Sequence, residues 1–375
     1  MHNLVDKKTP LYEIHQKLGA RMINFGGWLL PVQYSGIIQE HQAVRQSAGL
    51  FDVSHLGQVQ VEGPQAEEFL QRLLPADISR MIGGQVQHTL FCQEDGGIID
   101  DILVYCHEKN SYLLVINGAF IEEDLRWILK HANGFQVKIT DQSDMTFMIA
   151  VQGPKSAGVL NSLVNVPIEE IGYYHFVKEE IQGIPILFSR TGYTGEDGFE
   201  LMGDSPQAPA IWELLMKTGG SEITPAGLGS RDTLRLEAWY LLSGQDFDKQ
   251  HTPIEAGLGW TYNLTKSQDY LGKKALQEQK QKGVNRRLIG FEMVEEGIAR
   301  HGYSIFKSGH KVGEVTSGAL CPSVRKAIGL GYVTTQQAGL GNELEIEIHG
   351  KMRKARIVER PFYRGGLYLW RRRHS

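Results

Sequence analysis

In the last third of the chain, apolar and polar residues alternate in short runs. The segment Leu344 to Ile348 is apolar at every second position, His349-Gly350 favours a turn, and Lys351 to Val358 returns. A period of two is typical of a strand with one buried face, and two such runs around a short turn predict a hairpin. With Leu288 to Met293 as a further strand, the C-terminal third is predicted to be a small all-β barrel or sandwich.

Two earlier segments share a pattern in which a β-like run is followed by Gly-Pro and then by apolar residues at helical spacing. They are Val61 to Pro64 and Val151 to Pro154. The apolar faces that follow them contain Phe69, Leu70, Leu73 and Leu74 in the first case and Val159, Leu160 and Leu163 in the second. Proline is favoured at the first helical position, so each proline is predicted to begin a helix. The repeat predicts two related α+β halves.

A glycine turn followed by an apolar strand contains two adjacent aspartates, in the segment Asp95 to Tyr105. Neighbouring strand residues point to opposite faces, so only one of Asp100 and Asp101 can face a given cavity. A carboxylate inside an apolar strand costs several kcal/mol unless it is paired or used. Two interpretations stay open: a turn carboxylate on a solvated edge, or one carboxylate at the floor of a substrate pocket.

The glycine-rich segment Ser189 to Leu201 offers a second group of polar side chains. Tyr193 provides a ring for stacking, and the two oxygens of Glu200 can accept a bidentate pair of hydrogen bonds from a guanidine-like edge. A pterin presents such an edge. A decorated hairpin loop is the alternative interpretation of the same residues.

The segment Gly227 to Glu237 predicts a helix that is capped by Ser230 and whose apolar face continues to Ser243-Gly244. Arg231 then lies at the positive end of the helix dipole, where a cation is unfavourable. Either a neighbouring aspartate or an anionic ligand is expected to compensate its charge. A third cluster, Arg360 to Gly365, combines aromatic and cationic residues in a way that cation–π packing alone would explain.

Composition and length narrow the class of protein. The chain has 375 residues, 41% of them hydrophobic and 22% charged, with a net charge of −4. This length predicts two or three domains. No basic stripe indicates nucleic-acid binding, and no apolar run predicts a membrane span. The first residues lack a signal-peptide core, so a cytoplasmic location is expected. Cys92, Cys106 and Cys321 are predicted to be reduced, packed thiols.

Several familiar catalytic patterns do not occur in the sequence. Gly192, Gly195 and Gly198 recur at every third position, which matches neither a dinucleotide fingerprint nor a P-loop. The histidines form no His-Glu-x-x-His pair. Ser54-His55 lacks a nucleophile elbow, and a capping serine beside a packed histidine explains it better. The chemistry is therefore expected to depend on carboxylates, tyrosines and arginines, without a metal, a nucleotide cofactor or a serine nucleophile.

Together these segments resemble the aminomethyltransferase, or T-protein, family of the glycine cleavage system, from Thr9 to Gly365. The matching pieces lie in one order and include Phe25 to Trp28, Phe51 to His55, Gly96 to Asp101, Arg190 to Leu201, Gly227 to Asp232, Leu241 to Asp246, Gly272 to Leu276 and Pro361 to Gly365. The resemblance implies an α+β multidomain fold. Two related α+β domains and a C-terminal all-β barrel or jelly-roll-like domain would surround a central folate channel.

The resemblance also implies domain limits. The predicted limits are 1–58 with 145–250 for a discontinuous α+β folate-binding domain, 59–144 for an inserted α+β domain with the catalytic aspartate, 251–284 for a connector, 285–368 for the C-terminal barrel and 369–375 for a basic tail. Within the connector, a polar helix is predicted between Gln268 and Gly283. The tail contains three consecutive arginines and is expected to be solvated.

By the same resemblance, the reaction transfers a methylene unit from the S-aminomethyl-dihydrolipoyl arm of lipoylated H-protein to tetrahydrofolate. The products are 5,10-methylenetetrahydrofolate, ammonia and dihydrolipoyl H-protein. Tetrahydrofolate is then a co-substrate, and the expected partners include neither a nucleic acid nor a membrane. A carboxylate near the folate nitrogens can orient them, relay a proton and stabilise developing positive charge.

The resemblance assigns roles to ten residues. Asp101 matches the catalytic aspartate, and the residues implied to bind substrate or folate are Tyr193, Glu200, Asn117, Arg231, Arg364, Tyr174, Leu56, His88 and Trp260. Arg364 is expected to close the channel from the last domain, and the two aromatic residues Tyr174 and Trp260 to form channel walls.

Two of these residues depart from the family pattern. His88 stands where a tyrosine is common, and Leu56 where a methionine is common. The second change conserves side-chain volume. The first removes a phenol near the folate entrance, and it either weakens a folate contact or brings a titratable group into the pocket.

Two other functions stay open at this point. The first is a folate-binding accessory protein of the same fold, although none of the three cysteines lies in the Lys-Gly-Cys-Tyr-x-Gly-Gln motif of such relatives. The second is a folate-dependent demethylase of a small methylated donor. The identity of the carbon donor would distinguish it from an aminomethyltransferase.

Overall fold

The computed structural model of the protein describes residues 6–369. The α-helices of this part include α1 (Tyr12–Lys17), α2 (Ile37–Gln46), α3 (Ala66–Leu73), α4 (Ile121–Ala132), α5 (Ser156–Asn161), α6 (Ala208–Gly219), α7 (Leu228–Ala238) and α8 (Lys273–Lys282). None of these helices is long and apolar enough to cross a membrane. The basic residues predicted to form a solvated tail, Arg371 to Arg373, lie outside the described residues.

The strands of the first two thirds are β1 (Lys7–Lys8), β2 (Arg21–Phe25), β3 (Trp28–Gln33), β4 (Ala48–Asp52), β5 (Gly57–Glu62), β6 (Gln85–Cys92), β7 (Ile98–Glu108), β8 (Ser111–Ile116), β9 (Lys138–Asp141), β10 (Thr146–Gln152), β11 (Phe176–Ile181), β12 (Ile184–Ser189), β13 (Gly198–Asp204) and β14 (Ile223–Pro225). Those of the last third are β15 (Arg286–Met293), β16 (Ser304–Lys307), β17 (His310–Cys321), β18 (Lys326–Thr334), β19 (Glu343–Ile348) and β20 (Lys351–Val358).

The strands of the first two thirds form three sheets. The five-stranded sheet has the order β6-β7-β8-β5-β9, and the six-stranded sheet has the order β11-β12-β13-β10-β4-β14. A small third sheet, β1-β3-β2, precedes them in the chain. Strand β4 pairs with β10 and β14, which both lie later in the chain, while the intervening strands form the five-stranded sheet. This arrangement supports the proposal that 59–144 is a unit inserted into a discontinuous domain.

The two larger sheets pack face to face, and helices cover their outer faces. On β8, Tyr112 and Leu114 face α3 and α4, whereas Leu113 and Val115 face the other sheet. On β10, Met148 likewise belongs to the core between the sheets. Because side chains alternate along a strand, each sheet contributes to two hydrophobic cores at once. The mixed α+β class predicted from the sequence is confirmed.

The last third of the described chain forms a closed, six-stranded, antiparallel barrel with the order β15-β18-β17-β16-β19-β20. The predicted hairpin is β19 and β20, which pair from Glu343 to Ile348 around the turn at His349-Gly350. Its inward residues, Leu344 and Ile346, are fully buried in the barrel. The predicted C-terminal barrel is therefore confirmed, and its closure leaves no unpaired sheet edge.

The predicted helix starts at the two Gly-Pro segments are wrong by two residues. Helices α3 and α5 begin at Ala66 and Ser156, so Pro64 and Pro154 lie before the first helical turn. In both places the glycine before the proline has a positive φ, 128° at Gly63 and 135° at Gly153. The chain therefore completes a turn before it enters the helix, and only then do the apolar faces begin.

Candidate functional site

A cavity of about 430 Å³ opens where the core between the two sheets ends. Its walls come from the five-stranded sheet, the six-stranded sheet, helix α7 and the segment that leads toward the barrel. Representative lining residues from these four parts are Leu103, Met148, Leu228 and Leu258. The cavity is mostly apolar, with a few polar side chains, which is the usual character of a site for a small organic molecule.

The adjacent aspartates of β7 face opposite sides of the sheet, as strand alternation predicts. Asp101 lines the cavity and is partly exposed, with 21% of its side chain accessible. Asp100 is fully buried on the side of α4. Of the two interpretations left open by the sequence, the structure therefore favours a carboxylate at the wall of a pocket.

Hydrogen bonds hold the Asp101 carboxylate from both sides. His88 Nε2 lies 2.9 Å from Asp101 Oδ2, and Asn117 Nδ2 lies 3.0 Å from Asp101 Oδ1. On the far side of the imidazole, Trp260 Nε1 lies 3.3 Å from His88 Nδ1. Trp260, His88 and Asp101 therefore form one connected chain of contacts, which ends on the carboxylate. Such contacts fix both the position and the charge distribution of a carboxylate.

A second carboxyl pair lies behind Asp101. Asn117 donates to Asp100 from its backbone N–H and from Nδ2, at 3.1 and 2.9 Å. Asp100 also contacts Asp124 of α4, which is fully buried and whose oxygens receive no other hydrogen bond from the described residues. Burial, and then the charge of Asp100, hold the pKa of Asp124 far above its ordinary value. We infer that Asp124 is protonated at neutral pH and that its carboxyl O–H donates a hydrogen bond to Asp100.

The Asp124→Asn variant is expected to weaken the dependence of stability on pH. An acid whose pKa is raised on folding binds a proton that the unfolded chain releases above about pH 4, so its contribution to stability falls as pH rises. Asparagine keeps a hydrogen-bond donor toward Asp100 but has no proton to retain. We expect a smaller decrease in melting temperature between pH 6 and pH 9 than in the wild type, measured by thermal unfolding at constant ionic strength.

Asp144→Asn is the matched control, because Asp144 is exposed. That variant should follow the wild-type pH dependence. Equal slopes for Asp124→Asn and the wild type would show that the buried pair retains no additional proton.

Glu200 is buried against the opposite wall of the cavity. Thr191 Oγ1 donates a hydrogen bond to Glu200 Oε2. Burial raises the pKa of Glu200, whereas this hydrogen bond and the charge of Arg231 oppose the rise. The Arg231 guanidinium lies over the Tyr193 ring at 4.7 Å from its centroid, and the Tyr193 hydroxyl donates to the carbonyl oxygen of Leu241. The site thus presents a carboxylate, a guanidinium and an aromatic ring on one wall.

The helix that carries Arg231 differs from its prediction at both ends. Gly227 is the N-cap, and Ser230 lies within the helix with its hydroxyl donating to the Gly227 carbonyl, so the predicted serine cap is wrong. The predicted continuation to Ser243-Gly244 is also wrong, because Trp239 has a φ of 64° and ends the helix. The residues after it form a loop that lines the cavity.

The charge of Arg231 is not compensated by the neighbouring aspartate. Asp232 pairs instead with Arg235, at 2.8 Å. Among the described residues, no carboxylate forms an ion pair with Arg231, and its polar neighbour in the cavity is Tyr193. Burial lowers the pKa of Arg231, with Glu200 opposing the shift. Of the two sequence alternatives, an anionic ligand fits this arrangement better.

A second cavity of about 600 Å³ adjoins the first. The two share five lining residues: His88, Tyr174, Trp239, Tyr240 and Trp260. Tyr174 and Trp260 therefore lie where aromatic channel walls were expected. The far side of the second cavity is formed by the segment after the barrel, including Arg360 and Tyr363.

The structure does not bring Arg364 to either cavity. Its side chain is exposed and pairs with Glu359 at 2.7 Å, although Tyr363 and Gly365 on either side of it line the second cavity. Tyr363 itself stacks on the guanidinium of Arg45 at 3.8 Å, as cation–π packing predicted for this cluster. The expectation that Arg364 closes the channel therefore depends on the resemblance alone.

The cavity also contains residues at and beside the Ser54-His55 pair. Leu56 lines the wall as expected, and so does His55. Burial, and then the charge of Arg231, lower the pKa of His55 to about 4, so its ring is neutral at pH 7. Ser54 does not cap a helix; its hydroxyl bonds the backbone of Met148 in β10. No sequence pattern indicated that the side chain of this packed histidine would reach the cavity.

Three further residues of the site were not predicted from the sequence, and each contacts residues that are distant along the chain. They are Asp124, Tyr240 and Ser243. An acidic residue in the first turn of a helix is normally explained by the helix dipole, so the sequence offered no reason to select Asp124. Across the described part of the chain, no group of three or more His, Cys, Asp or Glu side chains has the arrangement of a metal site.

Comparisons with known proteins agree with this geometry. Residues 11–266 match the GCVT N-terminal domain, and residues 286–364 match the glycine cleavage T-protein C-terminal barrel domain. The aminomethyltransferase of Bacillus subtilis is 45% identical over 96% of this chain and 99% of its own length. That of Lysinibacillus sphaericus is 47% identical over 96% and 98%. The crystal structure of aminomethyltransferase T from Bartonella henselae is similar with a TM-score of 0.91 and 34% identity, covering 96% of this chain and 99% of that one.

Proposed function

Since this chain belongs to the glycine cleavage T-protein family and is a folate-dependent aminomethyltransferase, we propose that its donor is the S-aminomethyl-dihydrolipoyl arm of H-protein. The acceptor is tetrahydrofolate. The products are 5,10-methylenetetrahydrofolate, ammonia and dihydrolipoyl H-protein. The observation that supports this proposal most directly is the carboxylate of Asp101, held from two sides at the wall of a largely apolar cavity.

The atom balance of this reaction shows why a carboxylate is useful. The donor contributes a methylene carbon bonded to sulfur and to an amino group. Tetrahydrofolate gives up one N–H proton at each of two nitrogens as those nitrogens bond to the carbon. One proton leaves with the amino group as ammonia, and the other completes the thiol. No oxidant or reductant is required, but two protons must move between nitrogen and the leaving atoms.

We assign the proton transfer to Asp101. Its carboxylate can accept a proton from a folate nitrogen and deliver it to the departing group, and its negative charge stabilises positive charge that develops on the one-carbon unit. The contacts from His88 and Asn117 keep the carboxylate in one orientation, which preorganises it for this role. These roles follow the family resemblance and agree with the geometry of the cavity.

The opposite wall suits the pterin. The Glu200 carboxylate can accept paired hydrogen bonds from the guanidine-like edge, and Tyr193 offers an aromatic face beside it. Arg231, which lacks an ion-pair partner among the described residues, can bind an oxygen of the folate or of the arm. The aromatic second cavity gives the remainder of an extended substrate a place to lie.

The proposal predicts that ammonia release will require both substrates. Purified protein is mixed with aminomethylated H-protein, with and without tetrahydrofolate, and ammonia and 5,10-methylenetetrahydrofolate are quantified together. We expect a large folate-dependent increase in the rate and equal amounts of the two products, because each transferred carbon releases one amino group.

Two controls make the result specific. H-protein that carries an unmodified lipoyl arm should release no ammonia. Sarcosine or dimethylglycine supplied without H-protein should give no methylenetetrahydrofolate. Folate binding without ammonia release would contradict the proposal and favour an accessory protein, whereas product from a small methylated donor would favour a demethylase.

A further inference from the structure

His88 makes two hydrogen-bond contacts that together determine its tautomer. Its Nδ1 atom lies 3.3 Å from the indole nitrogen of Trp260, and its Nε2 atom lies 2.9 Å from Asp101 Oδ2. An indole N–H can only donate, so Nδ1 must be the acceptor. In the neutral ring, the proton is then on Nε2 and points at the Asp101 carboxylate.

We propose that His88 is a positioning residue for Asp101 and that it acts as a neutral donor oriented by Trp260. This inference rests on the proposed function, because it assigns a partner to the carboxylate that carries the chemistry. The Nε2–H group stabilises the charged carboxylate and leaves its remaining lone pairs free toward the cavity. Asn117 fixes the other oxygen, so the carboxylate cannot rotate away from the substrate.

The test compares His88→Gln and His88→Phe with the wild type in the ammonia-release assay at pH 8. Glutamine can donate from its amide nitrogen to Asp101 and accept from Trp260 through its amide oxygen, so it can replace both contacts. We expect His88→Gln to keep kcat within about threefold of the wild type. His88→Phe removes the donor, and kcat should fall by roughly 10–100-fold, with little change in folate affinity.

His251→Gln is the matched control, because His251 forms a similar contact with Asp248, at 2.7 Å, and lines neither cavity. It should leave kcat and KM unchanged. Folate binding by calorimetry and thermal unfolding confirm that each variant is folded.

Three outcomes would overturn the inference while the proposed function stands. They are a kcat in His88→Gln as low as that in His88→Phe, an unchanged kcat in His88→Phe, and a loss in His88→Phe that is confined to KM. The last would identify His88 as a folate contact only. If the wild type itself releases no ammonia with folate, the proposed function fails instead.

Discussion

Replacement of Asp101 by asparagine is expected to lower kcat for folate-dependent ammonia release by about 10²–10⁴-fold, the usual contribution of a positioned acid–base group. Asparagine keeps the size and shape of aspartate but cannot accept a proton at neutral pH. Folate affinity should change only a few-fold, because the pterin contacts proposed for Glu200 and Tyr193 are preserved. The measurements are initial rates of ammonia release and calorimetric titration with tetrahydrofolate.

Two further variants test whether the loss of activity is specific to the carboxylate of Asp101. Asp95 lies in the turn before the same strand. Among the described residues its side chain accepts a hydrogen bond only from the backbone of Gly97, a role that asparagine in Asp95→Asn can also fill. This variant should retain wild-type kcat. Asp100→Asn removes the carboxylate on the other face of the strand. Loss of activity in Asp100→Asn together with normal activity in Asp101→Asn would contradict the assignment of the two faces.

Asp246→Ala is expected to produce the largest loss of stability. Asp246 is fully buried and accepts from Arg235, the backbone of Leu242, Thr316 and Ser317. Removing the carboxylate leaves the buried charge of Arg235 without its main partner, which typically costs about 3–5 kcal/mol. The quantity to measure is the free energy of unfolding, from urea denaturation followed by tryptophan fluorescence.

Asp232→Ala tests whether burial is the cause. Asp232 pairs with the same arginine, but half of its side chain is exposed to solvent. Exposed ion pairs usually contribute up to about 1 kcal/mol, so this variant should lose much less stability. An equal or greater loss in Asp232→Ala would show that the buried network is not what stabilises this part of the chain.

Most of the correct predictions from the sequence came from the alternation of side chains along strands. It predicted that Asp100 and Asp101 would face opposite sides, and it predicted the hairpin of β19 and β20. Both depend on local geometry with a period of two, which does not require knowledge of distant contacts. The positions of Leu56, Tyr174 and Trp260 at the cavity could be anticipated only through the family resemblance.

Helix ends and buried partners could not be predicted in the same way. Helix α7 stops at Ala238 because Trp239 adopts a left-handed conformation in contact with Phe362 from beyond the barrel. That contact joins residues far apart in sequence, so local propensity misses it.

The neutral carboxyl of Asp124 could not be predicted for a similar reason, since its raised pKa depends on burial and on Asp100 from another element. The role of Arg364 stays a prediction of the family resemblance, because its exposed side chain lines neither cavity.

The interleaved order of the two large sheets has a consequence for how the chain is synthesised. Strand β4 emerges from the ribosome roughly a hundred residues before its first partner, β10, a delay of about 5–20 s at typical elongation rates. The five-stranded sheet is translated entirely within this interval. Phe51 within β4 and Val53 immediately after it pack into the core that both sheets share. The five-stranded sheet can therefore cover these apolar side chains before β10 has been synthesised. The order of translation thus makes the five-stranded sheet a template for the assembly of the six-stranded sheet.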